Sequence, residues 1–150
     1  MLARLYALPD AGRYVERTAR AGISVRRVAP ADATPLRAFV EERFGARWAD
    51  GVPVALSRQP LAAFVALEGE ACAGFALYDV AHRMYFGPMG VREDLRGCGI
   101  GAVLLIRSLD AMAERGYAYA IIGDVGPVEF YERVCGATVI PDSDLPAAPA

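Results

Sequence analysis

The chain has 150 residues and contains no lysine and no asparagine, so all 16 of its basic residues are arginine. Beside so much alanine, this reads as a compositional bias rather than as chemistry. It still has a chemical consequence. With no lysine to act as nucleophile or Schiff-base former, those covalent mechanisms are excluded. Cysteine is scarce too: Cys72, Cys98 and Cys135 lie far apart, and no C-x-x-C pair exists. A disulfide framework and a structural zinc site are therefore not expected, and a reducing, cytoplasmic setting fits. Long apolar runs are missing. Although 55% of the residues are hydrophobic, no run approaches the roughly 20 residues of a membrane span. The opening stretch MLARLYALPDAGR lacks the apolar core and small-residue cleavage site of a secretory leader. There is no dense basic stripe, and the net charge is −2, so nucleic acid is not the expected partner.

What is present has the length and apolar content of one domain with a real core. Residues 1–22 read as an N-terminal arm, 23–140 as the domain, and the proline-rich 141–150 as a flexible tail. In the arm, Arg4–Leu8 suits a short strand, and Asp10 offers a cap for a helix that Gly22 stops. The alternation of Ile23–Ala29 predicts a strand. Asp32 caps a helix reaching Phe44, with Leu36, Phe39, Val40 and Phe44 on one face. Pro53 opens a short helix to Arg58. Leu61–Leu67 and Ala71–Val80 form a hairpin about Glu68-Gly69-Glu70. Met84–Val91 is the fourth strand of the domain, and Gly87-Pro88 inside it predicts a bulge or an unpaired edge. A long helix then runs from Ala102 to Arg115, followed by a strand at Tyr117–Gly123, a helix at Val128–Val134 and a last strand at Ala137–Ile140. The fold class is α/β: a mixed sheet, antiparallel at first and joined by a parallel crossover, with about four helices.

Between the fourth strand and the long helix lies Arg96-Gly97-Cys98-Gly99-Ile100-Gly101. A glycine-rich turn entering a helix bares backbone N–H groups where the helix dipole is positive, and phosphates bind there. A Walker loop would need a lysine that this chain lacks. A dinucleotide fingerprint would follow the first strand, whereas this turn comes two thirds along the chain.

Val91 through Gly101 resembles the acetyl-coenzyme A motif of the GNAT N-acetyltransferase superfamily, whose core is Arg/Gln-x-x-Gly-x-Gly/Ala. Glu129-Phe130-Tyr131-Glu132-Arg133 resembles that family's second signature. The resemblance spans roughly Ile23 to Ile140. It implies the GNAT fold, with its sheet splayed at the fourth strand, and acetyl-CoA as co-substrate. The turn N–H groups of Arg96, Gly97, Cys98, Gly99, Ile100, Gly101 and Ala102 would hold the pyrophosphate. Backbone groups of Met89, Gly90 and Val91 would pair with the pantetheine arm. Tyr131 would be the general acid for the leaving thiolate, and an N–H near Met89 the oxyanion donor. Asp124 falls where the family often has a cofactor-contacting asparagine. The base stays open between ordered water, Asp124 and His82. Cys98, inside the turn, is a candidate reactive thiol.

The acceptor is expected to be the amine of a small molecule, or a peptide amine. It would be met by the loop Phe44–Asp50, with Phe44, Trp48, Tyr78 and Tyr85 as walls; Arg47 and Arg83 would favour an anionic group on it. The activity implied is N-acetyl transfer from acetyl-CoA, with a non-catalytic acyl-CoA-binding domain as the alternative. Three departures stand out. Tyr131 and Gly136 are five positions apart instead of four, Ala137 replaces an aromatic, and only one strand follows the last helix where the family has two. The missing strand predicts a bare sheet edge near Tyr117–Gly123. The arm is expected to cover it, from the same chain or from a second copy in a homodimer.

Overall fold

The computed structural model describes residues 1–143, so the expected loose tail, 141–150, lies for the most part outside the described residues. In chain order the elements are β1 (Leu2–Arg4), α1 (Gly12–Arg20), β2 (Ile23–Arg27), α2 (Ala33–Phe44), α3 (Ala46–Ala49), α4 (Gly51–Leu56), β3 (Ala63–Glu68), β4 (Ala71–Tyr78), β5 (Tyr85–Val91), α5 (Ile100–Glu114), β6 (Tyr119–Ile122) and α6 (Val128–Cys135). One six-stranded sheet runs in the order β1-β6-β5-β4-β3-β2. Only the β5–β6 pair is parallel. The mixed sheet expected from the sequence is therefore the one observed.

The arm is part of this sheet. The strand occupies Leu2–Arg4, and Leu5–Ala7 is a 3-10 turn, in place of the expected strand at Arg4–Leu8. Burial gives the reason: Met1, Ala3 and Leu5 alternate inward into the core. β1 pairs antiparallel with β6, Leu2 opposite Ile121 and Arg4 opposite Tyr119. On its other side Leu2 makes a two-bond bridge with Thr138, accepting from the Thr138 N–H at 2.9 Å and donating to its carbonyl at 2.8 Å. The expected strand Ala137–Ile140 is thus a single bridge. The chain's own N-terminal strand fills the place of the missing strand, and the edge needs no second copy. Thr138→Pro removes the donor to Leu2 from an exposed position. It should lower stability by about 1–2 kcal/mol, read as the urea midpoint at unchanged slope.

Helices cover both faces. α2, α3 and α4 lie on one, where Gly51 approaches Leu77 and Val80. α5 crosses the other, where Leu104 meets Gly74. Ten residues of α5 are buried, so it is a central helix with no broad polar face. α1 runs alongside α5. Gly45 stops α2 at φ +93°, and the expected loop after it contains the one-turn helix α3. Four residues are too few to show a period in sequence.

The turn before β5 is held by a buried carboxylate. Asp79 is 2% exposed; it accepts from the Met84 N–H at 2.8 Å and the Tyr117 hydroxyl at 3.2 Å, and pairs with Arg115 at 3.5 Å. A buried charge so paired is tolerated. It anchors the start of β5 to the end of α5.

Candidate active site

The glycine turn is an open cradle of N–H groups. Arg96 is extended, Gly97 takes φ +84° and Gly99 +88°, and α5 starts at Ile100, two residues earlier than expected. Positive φ is cheap only for glycine. Within the turn, the Arg96 N–H donates to Glu93, Cys98 to Leu95, and Val103 to Gly99. The N–H groups of Gly97, Gly99, Ile100, Gly101 and Ala102 find no backbone acceptor among the described residues. They gather at the positive end of a helix buried along most of its length, which suits a phosphate. Of the seven turn residues expected to bind through backbone N–H, Arg96 and Cys98 therefore have theirs engaged. Arg96 is instead exposed and makes no ion pair among the described residues, leaving its guanidinium available. Arg92 is not available: it is bound by Asp94 at 2.7 Å and Glu68 at 2.6 Å.

The splay expected at Gly87-Pro88 is present. Ala76 is opposite Met89 and Tyr78 is opposite Phe86, so β5 carries one extra residue there. β6 pairs with β5 only at Tyr85 and Phe86. Beyond that point β5 is open on the β6 side. The Arg92 N–H donates to Ala73 on β4 at 2.8 Å, and alternation sets Gly90 the same way. The polar backbone groups of Met89 and Val91 therefore face the open slot, and those of Gly90 do not. This corrects the expectation for Gly90. Its contribution is an absent side chain, since a Cβ there would lie 2.5 Å from the Phe44 ring.

Two distant segments, β5 and α6, converge on Gly101. A Cβ at Gly101 would stand 3.5 Å from Phe130, 3.8 Å from Val91 and 3.9 Å from Met89. Phe130 rests on the turn, and Tyr131 packs edge-on against it at 5.0 Å. Burial pushes the Tyr131 phenol above its usual range. No hydrogen bond contributes to that shift.

The opposite face of β5 carries an aromatic cluster. Phe44 stacks on Trp48 at 5.5 Å, and both pack on Phe75. Trp48 keeps 36% exposure. Strand alternation puts Tyr85 on this face as well, where it meets Gly123 and the edge of His82 at 5.0 Å. Asp124, at the end of β6, is exposed and stands 3.9 Å from Arg47 of α3. It thus lies beside α3, the helix that carries Trp48. Tyr78 does not join these residues. It is 0% exposed, and its hydroxyl accepts from Arg27 at 2.7 Å, which makes it a core residue and corrects its expected place in the acceptor wall.

One contact with the turn was not foreseen. Thr18 of α1, 2% exposed, donates its hydroxyl to the Cys98 carbonyl at 3.2 Å. The only sequence signal was a hydroxyl residue one turn after Tyr14 in a helix rich in arginine.

The model of the Acetyltransferase (GNAT) family matches residues 27–137. The chain belongs to the GNAT acetyltransferase family. Solved structures agree on the GNAT fold. The glucosamine N-acetyltransferase region of a fungal multi-domain β-N-acetylglucosaminidase superposes with TM-score 0.72 at 17% identity, over 89% of this chain and 19% of that one. A GNAT of Sphaerobacter thermophilus gives TM-score 0.60 at 23% identity, over 75% of this chain and 40% of that one. A GNAT of Escherichia coli in complex with CoA gives 0.58 at 24%, over 75% and 67%. This chain therefore spans about a fifth of the fungal chain and two fifths of the Sphaerobacter one. No protein of curated function matches it. The match to the GNAT family begins at residue 27, so β1 and α1 lie outside it. Among the described residues no helix is long and apolar enough to cross a membrane, and no cluster of side chains could hold a metal.

Proposed function

We propose that this protein transfers the acetyl group of acetyl-CoA to the amine of a small molecule, by direct attack within a ternary complex. The observation that carries the reading is the cradle of unclaimed N–H groups at Gly97 and Gly99–Ala102, opening beside the splayed edge of β5 in a GNAT fold. In this reading the cradle and Arg96 take the pyrophosphate, and the Met89 and Val91 backbones pair with the pantetheine arm as an added strand would.

Acetyl-CoA supplies the activated thioester. The amine nitrogen forms a bond to its carbonyl carbon, and the bond from that carbon to sulfur breaks. The chain's own groups manage charge and protons. The Met89 N–H faces the developing oxyanion, and Tyr131 gives its phenolic proton to the departing sulfur. The amine loses its proton to a base that β5 does not supply, since that strand carries no carboxylate; ordered water, Asp124 and His82 are the candidates. The exposed Trp48 face, with Phe44 below it and Tyr85 and Asp124 across the opening, would receive the acceptor.

The missing β5 carboxylate also favours a second reading, a domain that binds acyl-CoA without turning it over. Titration calorimetry with acetyl-CoA should give saturable one-to-one binding. Thiol release over a panel of small amines should then find an acceptor. Binding with no turnover on any amine would select the second reading, and no binding would exclude both.

A further inference from the structure

We infer that Thr18 of α1 is a positioning residue for the cofactor turn: its hydroxyl fixes the Cys98–Gly99 peptide so that the Gly99 N–H faces the pyrophosphate. This rests on the reading that the turn holds CoA. The cis peptides among the described residues are Gln59-Pro60 and Gly87-Pro88, so Cys98–Gly99 is trans. In a trans peptide the C=O and N–H point in opposite directions. The Cys98 carbonyl points at α1, where it accepts from Thr18 at 3.2 Å. The Gly99 N–H therefore points away from α1.

The peptide needs such a hold. Gly99 at φ +88° has no Cβ to penalise a flip. A flip would swap the two groups, replacing a donor by a carbonyl oxygen aimed at the phosphate. Repulsion would then replace a charge-assisted hydrogen bond. Thr18 blocks this from a fixed platform. It is buried, and the Tyr14 carbonyl and Arg17 stem of the same helix lie 3.3 and 3.7 Å from where a Gly99 Cβ would be. All three residues precede the segment matched to the GNAT family, which starts at residue 27. A segment outside the family-matched region thus takes part in preparing the shared site.

Thr18→Val keeps the shape and removes the donor, while Thr18→Ser keeps the donor. By calorimetry well below the unfolding temperature, the Kd for CoA should rise about tenfold in T18V, the scale of one hydrogen bond to a charged group, and return to the wild-type value in T18S. In nitrogen-15 NMR, the Gly99 amide should shift downfield on CoA addition in wild type and T18S but not in T18V. A helix that merely packs would lower the melting point of T18V and leave both readouts unchanged, which would overturn the inference. So would T18S binding as weakly as T18V. If T18V does not fold, T18A is read in the same way. A wild-type protein that binds no CoA would overturn the site reading itself, and wild-type binding with unaffected variants would overturn only the role of Thr18.

Discussion

Replacing Gly101 by aspartate should weaken CoA binding at least about 100-fold while leaving the fold intact. Gly101 is the second residue of α5 and has an ordinary helical φ, and a Cβ there meets its neighbours at 3.5–3.9 Å, normal contact distances. The backbone and the Cβ are therefore accommodated without strain. An acid in a first helical turn even stabilises the helix, by about 0.3–1 kcal/mol. The same carboxylate would sit inside the cradle, compete for its N–H groups and repel the pyrophosphate. Two like charges about 5 Å apart at an effective dielectric near 20 repel by roughly 3 kcal/mol, or about 100-fold in affinity. Calorimetry with CoA and a thermal melt, taken together, separate the two effects. A variant that melts like wild type and still binds CoA as tightly would remove the pyrophosphate from this turn.

Tyr131→Phe should lower kcat about 100-fold or more, the range for losing a general acid, with the Kd for acetyl-CoA unchanged. The phenyl ring keeps its packing on Phe130 and loses only the proton. Burial raises the Tyr131 phenol above 10.0, its ordinary value, so the acid stays protonated through the neutral range. It should therefore contribute no falling limb to the wild-type rate below about pH 10. The linkage sign follows. The folded state holds this proton more tightly than the unfolded chain does, so stability is full below about pH 10 and falls as pH rises toward the folded pKa. Equal turnover in the two proteins would assign the proton to another donor.

Local geometry explains which parts were legible in the sequence. The cradle was, because Gly97 and Gly99 occupy conformations that other residues avoid, so composition and shape coincide there. The splay of β5 was legible for the same reason at Gly87-Pro88. Tyr78 was misplaced because β4 is buried on both faces: from Ala73 to Tyr78 every residue is inside, and alternation marks no outer side. The arm was misread because its strand answers to partners far along the chain, and local pattern is blind to such pairing. The bare edge was correctly anticipated, but the choice between its own strand and a second copy was not. Gly90 belonged to the right segment in the wrong role, since the bulge at Gly87-Pro88 settles which backbone groups turn outward.

The strand that closes the sheet precedes every other strand of it in the chain. Met1 and Ile122, joined by a 2.7 Å hydrogen bond, are 121 positions apart, and the bridge to Thr138 comes later still. During translation β1 must wait, with its apolar side unpaired, until β6 and the segment after α6 have left the ribosome. Loop length adds little to the equilibrium cost, about 0.6 kcal/mol per doubling, but such a contact forms late and slows folding. β6, one wall of the cofactor slot, stays unsupported on its outer side until then. Competence to bind CoA should therefore appear only after the segment that follows α6 has emerged, which makes cofactor binding a measure of whether this sheet has closed.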